Sequence, residues 1–429
     1  MARNLRVGVQ RGLRQSIGGG LGTGDIFTLS PASFDFSRTK TKDSRITFTR
    51  ASSGTFVGAD GLIKSAATNT PRFDHSATGE SLGLLMEEAR TNLLNSNYTT
   101  SLGTGGASLS EVTSITNPDG TTGTVKVTAI ANNSRHEVQK TSSAPSTNHT
   151  HSVFVKKGNH RYVGLSQGGA SNNIHMIFDF DTKTITDTGS KNSGTYVSSG
   201  FEEYANGWFR LHLVGTTTGT VLRAFMAEDD QQDGLVDWAA TGNEFFYVWG
   251  AQKEAGTFPT SFISSTSTAT RAADIVDITG TNFSSFYNQS AGTVFAEYKH
   301  AYIDTTSSNL YVFNADADNR ILSLARSDRQ YLGLVEKAGV HEAEISKNTG
   351  WVNNQHYKTA FGVANNNVAM FLDGAQQGST DTSVTLPTVN TLTIGRKPDS
   401  NNRFINGHIK RLSYFPTRLP DATLQSITS

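Results

Sequence analysis

Along most of the chain, apolar and polar residues alternate over short runs. That is the period of half-buried β-strands, and amphipathic helical stretches are nearly absent. Ser152-Val153-Phe154-Val155, the turn Lys157-Gly158-Asn159 and Tyr162-Val163-Gly164-Leu165 predict a hairpin. From Trp208 to Val214 the pattern turns Phe209, Leu211 and Leu213 inward and Arg210 and His212 outward. From His175 to Asp181 it sets Ile177, Asp179 and Asp181 on one face, with Met176, Phe178 and Phe180 on the other. One run breaks the alternation. Phe245-Phe246-Tyr247-Val248-Trp249 is apolar on both faces and predicts a strand covered on both sides. Gly256 and Pro259 then turn the chain, and a Ser/Thr run from Ser261 to Thr270 leads to Arg271 and Asp274. This stretch closes one β domain and opens another. Beyond it, Asp373-Gly374 predicts a tight hairpin after Met370-Phe371-Leu372, and Leu419 to Ile427 predicts a short final helix.

The expected fold is all-β: an N-terminal extended arm and small β region, followed by two antiparallel β-sandwich (jelly-roll) domains. The boundaries are 1–30 for a flexible basic attachment arm, 31–92 for a small β oligomerisation or attachment region, 93–274 for the first sandwich and 275–429 for the second. The arm carries Arg3, Arg6, Arg11 and Arg14, and then a glycine run that matches neither a phosphate-binding loop nor a dinucleotide fingerprint. The 31–92 region is too short for its own core. Leu62, Ile63, Leu82, Leu84, Leu85 and Met86 therefore require cover from neighbouring domains or from a symmetry mate.

Composition narrows the function. The 429 residues carry 37 basic and 37 acidic side chains, so phosphate backbones are an unsuitable main partner. There is no cysteine, so no disulfide supplies stability. No apolar run approaches membrane-spanning length, and the first residues lack the apolar core of a secretory signal.

Candidate chemistry is sparse. Asp179 with Asp181, and Glu342 with Glu344, each share a strand face, but a third acid is missing, and solvated side chains are the simpler reading. His149 and His151 project the same way but lack further zinc ligands, so a surface pair is expected. Asp229, Asp230 and Asp233, with Asp237 nearby, make an oxygen-rich loop of the kind that can bind Ca²⁺; Asp316 and Asp318 form a smaller one. No other cofactor is implied. Sugar binding needs an exposed aromatic plane, and Trp238 and Trp351 are the candidates; Trp208 and Trp249 lie in strands and read as packing.

Several segments together carry a resemblance: Arg90-Thr91-Asn92-Leu93-Leu94, FDFDTKTITDTGS from Phe178, NGWFRLHLVGT from Asn206, YVWGAQKEAGTFPTSF from Tyr247 and IGRKPDSNNRFINGHIKRLSYFPTRLPDATLQSI from Ile394. From about residue 45 onward the chain resembles virion fibre proteins of tailed bacteriophages. In these the middle domain is similar to a carbohydrate-binding-module jelly roll, and the last to a concanavalin A-like (laminin G-type) lectin. The resemblance implies a non-enzymatic tail or head fibre or spike on the virion surface, made in the host cytoplasm and released by lysis. The four arginines would attach it to other virion proteins, and the sandwiches would meet host-surface glycan. Such fibres are commonly homotrimers. A capsid decoration protein and a tail-associated polysaccharide depolymerase are the alternatives.

Overall fold

The computed structural model describes residues 26–98, 103–142, 147–169, 172–231, 236–300, 302, 307–348, 350, 352–400 and 402–429. The protein is 53% strand and 6% helix. Its strands form two antiparallel sandwiches, as the alternation predicts.

The middle sandwich packs two six-stranded sheets. The first sheet runs, edge to edge, Thr195–Tyr204, Trp208–Thr216, His149–Lys157, Phe245–Ala255, Thr124–Ala129 and Ala107–Val112. The second runs Thr184–Lys191, Asn173–Asp179, Tyr162–Gly168, Val221–Met226, His136–Thr141 and Gly103–Gly105. Phe246 and Val248 enter the core between them, beside Val153, Leu211, Met176 and Phe178. Tyr247 and Trp249 project from the same strand to the opposite side, against a second cluster built on Phe154, Trp208, Phe262 and Ile63. The strand that is apolar on both faces is thus covered on both.

The segments 149–157 and 162–168 do not form the expected hairpin. Each pairs with other strands in its own sheet, and the turn between them arches from one sheet to the other. A side chain at Gly158 would lie 2.3 Å from the Phe245 carbonyl, so the arch runs too close to that strand for any other residue.

The outer sandwich packs an eight-stranded sheet on a seven-stranded one, and here the expected boundaries fail. Residues 31–92 are not a separate unit. Ala32–Asp35 and Ser81–Met86 both pair with Gly407–Phe415, and Thr47–Thr49 pairs with Ile275–Thr279. Phe34, Phe48, Leu84 and Met86 sit in one core with Tyr298, Phe313, Tyr331 and Phe361. Of the apolar side chains that needed cover, Ile63, Leu84, Leu85 and Met86 find it within the same chain, while Leu62 and Leu82 stay half-buried. The middle sandwich is therefore an insertion between two parts of the outer one. Helix Asp421–Thr428 buries Leu424 and Ile427 on the outer side of the eight-stranded sheet, against Phe295, Phe371 and Phe415. The hairpin at Asp373-Gly374 forms, with both residues at positive φ, as a two-residue turn between twisted strands demands.

A buried ionic cluster marks the crossing between the two units. Arg72 bonds Asp274 and Glu87, Arg50 bonds Asp274 at 3.1 Å, and Arg271 lies 3.4 Å from Glu87. Ser261 donates its amide and hydroxyl to Glu87, both at 2.7 Å. Burial alone pushes the Glu87 carboxyl up; the guanidinium groups of Arg271 and Arg72 outweigh it and hold the group well below the usual carboxylate range. Removing one member of such a cluster costs about 3–5 kcal/mol, because its partner is left charged and dry.

Candidate functional site

The residues singled out by sequence are scattered over the molecule. Trp238 is 7% exposed and is no open platform. It lies in the two-residue strand Trp238–Ala239, its indole donates to the Met226 carbonyl, and its ring stacks on His160 and meets His136 edge-on. Trp351, Asp233 and the arm residues Arg3, Arg6, Arg11 and Arg14 lie outside the described residues. Asp229 and Asp230 are exposed in a turn, Asp229 accepting the Gln231 amide, and Asp237 faces Arg135 at 3.8 Å. Among the described residues no three His, Asp or Glu side chains are grouped to hold a metal ion.

The paired groups also have other roles than expected. His149 and His151 are buried rather than a surface pair, because their strand is the centre of a sheet and they face inward with Val153 and Val155. Burial, then the charges of Lys253 and Lys140, pushes His151 down to about 3. Arg210 and His212 do point away from the sandwich core, yet they are buried: Arg210 donates to the Thr260 carbonyl of the connecting segment at 2.7 Å, and His212 meets Tyr302 of the outer sandwich. Asp179 is clamped by Arg161, at 3.0 and 2.7 Å, and also accepts from Thr182. Glu342 accepts the Thr385 amide, and Glu344 faces Arg326 and His341.

The most organised polar surface is one the sequence reading did not assemble. On the second sheet of the middle sandwich, the side facing away from the core carries two rows in register across all six strands. One row reads Gly103, Gln139, Arg223, Ser166, His175, Gly189; the next reads Gly105, Glu137, Phe225, Gly164, Ile177, Asp187. Arg223 pairs with Glu137 at 3.2 Å and donates to the Gly168 carbonyl at 2.6 Å, while Gln139 donates to Glu137 at 2.6 Å. His175 faces Asp187 at 3.4 Å. Burial holds the Arg223 guanidinium below its ordinary value despite the Glu137 carboxylate. The Ser166 hydroxyl and His175 Nδ1 are buried without a hydrogen-bond partner. The glycines make room: a Cβ at Gly189 would sit 2.7 Å from the His175 ring, and one at Gly164 2.1 Å from Phe225. The face thus lines up a guanidinium, two carboxylates, an amide, a hydroxyl and an imidazole with unused hydrogen-bonding capacity. Vicinal hydroxyl groups require this mixture of donors and acceptors.

The fold defines an all-β protein of two antiparallel sandwiches. Residues 271–425, the C-terminal part of the outer sandwich, match the family model described as the concanavalin A-like lectin/glucanases superfamily. No curated protein matches the chain. Among solved structures, the chain is similar to the CBM40 of Ruminococcus gnavus IT-sialidase bound to α2,3-sialyllactose, at 14% identity and TM-score 0.30, covering 34% of this chain and 88% of that one. An SAP-like pentraxin from Limulus polyphemus matches at 15% identity and TM-score 0.26, over 32% and 70% of the two chains. Trypanosoma rangeli sialidase matches at 10% identity and TM-score 0.28, over 72% and 68%.

Proposed function

We propose that the chain is a non-enzymatic structural protein of a tailed-bacteriophage particle, a fibre or spike that recognises glycan on the host surface. The observation that carries the glycan reading is the in-register polar face of the middle sandwich, where Gln139 and Asp187 are half-exposed and Ser166 and His175 lie buried between them with hydrogen-bonding groups left unused. The concanavalin A-like match of the outer sandwich supports the same class of ligand. The virion setting rests on the resemblance of the quoted segments to phage fibre proteins, and attachment falls to the arm with Arg3, Arg6, Arg11 and Arg14. The homotrimer rests on that resemblance alone, since Leu84, Leu85 and Met86 are buried within one chain.

Glycan-array binding of the purified protein tests the reading. Binding to host-type polysaccharide is expected, with loss in Gln139→Ala and His175→Ala at an unchanged unfolding midpoint. Unchanged binding in both variants removes the face from the reading. Release of reducing ends from bound polysaccharide replaces the binder with a depolymerase.

A further inference from the structure

A cavity of about 460 Å³ opens at the seam between the sandwiches, well apart from the polar face. Its walls come from the hairpin Gly54–Val57 and Ile63–Ala66 and from the connecting segment that ends in strand Ala269–Arg271. This size suits a small ligand, and seams between domains are a common place for one.

The lining is of two kinds. Phe262 and Ile63 give an apolar patch, and both belong to the aromatic cluster beneath the middle sandwich. Around them stand hydroxyl groups, among them Ser65 and Thr270. A sugar ring has the same division, with apolar C–H faces and a polar rim.

The charges favour an anion. Lys64 and Arg271 line the cavity against one acid, Asp119. Lys64 is already held by Asp60 at 2.7 Å on the surface. Arg271 is 2% exposed and its Nε has no hydrogen-bond partner. Its nearest carboxylate, Glu87 at 3.4 Å, is shared with Arg72, which binds it more closely at 2.7 Å. The other bonds of Arg271 go to the backbone carbonyls of Ala272 and Glu88. A buried guanidinium so weakly matched favours a further carboxylate.

We propose that this seam cavity binds a carboxylate-bearing sugar, with the ring against Phe262 and the acid group toward Arg271. The site stands independently of the polar face.

The test titrates the full-length protein with glucuronic acid, glucose and inorganic sulfate, read by calorimetry. Saturable millimolar binding of glucuronic acid is expected, falling with added salt, while glucose binds roughly tenfold or more weakly, the size of one lost charged contact. Ser65 and Thr270 are exposed, so Ser65→Trp and Thr270→Trp fill the cavity without touching the ionic cluster. Both are expected to abolish binding at an unchanged unfolding midpoint. Equal binding of glucose, or binding that survives both tryptophan variants, overturns the proposal. Sulfate binding as tight as glucuronic acid also overturns it, reducing the site to one for any small anion. Failure to bind glucuronic acid at all rejects it outright.

Discussion

Two of the sheet faces that look away from a sandwich core are built from opposite materials. In the middle sandwich the face carries Gln139, Arg223, Ser166 and His175 in one row. In the outer sandwich the seven-stranded sheet turns Val312, Leu322, Leu324, Leu332 and Leu334 to the side opposite Tyr311, Ile321 and Tyr331, and these five form a buried aliphatic cluster of their own. Both sheets are antiparallel, both alternate, and both hold a full core on their other side. The architecture therefore dictates neither face. An aliphatic face yields stability for every methylene it buries. A face with a buried ion pair and unused hydroxyl and imidazole groups forgoes that gain, which is the mark of a surface kept for something other than stability.

The largest expected effect tests whether the polar face is truly closed from water. Arg223→Met leaves the Glu137 carboxylate, 0% exposed, without its cation and is expected to cost about 3–5 kcal/mol. Urea unfolding measures it, and adding Glu137→Leu should restore most of the loss. A single variant with the wild-type midpoint would show the pair to be solvated and break the contrast. On the aliphatic face, Leu322→Ala should cost about 2–4 kcal/mol, as cavity formation in a packed cluster does. A loss below that range would mean that this face is open as well.

Acid sharpens the contrast next. Burial holds His151 and His212, both in the middle sandwich, down to about 3. Their unfolded value is near 6.5, so the unfolded chain takes up protons first as pH falls. The neutral buried rings thus contribute stability that is complete above pH ~6.5 and is lost on acidification toward 3, at up to about 1.4 kcal/mol per pH unit for each group. Unfolding midpoints between pH 7 and 4 should fall accordingly, and His151→Gln should flatten the slope; an unchanged slope would assign the acid sensitivity elsewhere. The smallest effect is Ser166→Ala. Its hydroxyl is buried without a partner, so its loss should change stability by less than about 0.5 kcal/mol or raise it slightly. A cost above 1 kcal/mol would reveal a structural bond and count against a binding role.

Much of this was legible in the alternation of single strands. The two-sided run Phe245 to Trp249, the Asp373-Gly374 hairpin and the final helix all stand where the pattern sets them. What the pattern lacked was partnership. Lys157-Gly158-Asn159 reads the same whether it closes a hairpin or arches between sheets, because local turn chemistry does not say which sheet the next strand joins. Residues 31–92 looked coreless because their partners lie far along the chain: Ser33 meets Ser413, 380 positions away. Trp238 misled because its acidic neighbours suggested an exposed loop, whereas its two-residue strand pairs with Asn133–Ser134 and carries the ring inward. The polar face was invisible for a related reason. Five of the six strands contribute one or two polar residues each at ordinary outward positions, the edge strand contributing only Gly103 and Gly105, and only the cross-strand register gathers them.

The insertion of one sandwich within the other also constrains how the molecule is made. Strand Ala32–Asp35 leaves the ribosome long before its partner Gly407–Phe415 has been made. The middle sandwich is continuous from 103 to 255 apart from its flanks, so it can close while the ribosome is still reading the outer domain. Until then Phe34, Phe48 and Met86 wait without the far half of their core. Nascent chains truncated before residue 407 should therefore present a protease-resistant middle and a labile N-terminal flank, and it is this flank that a cell's chaperones would have to shelter.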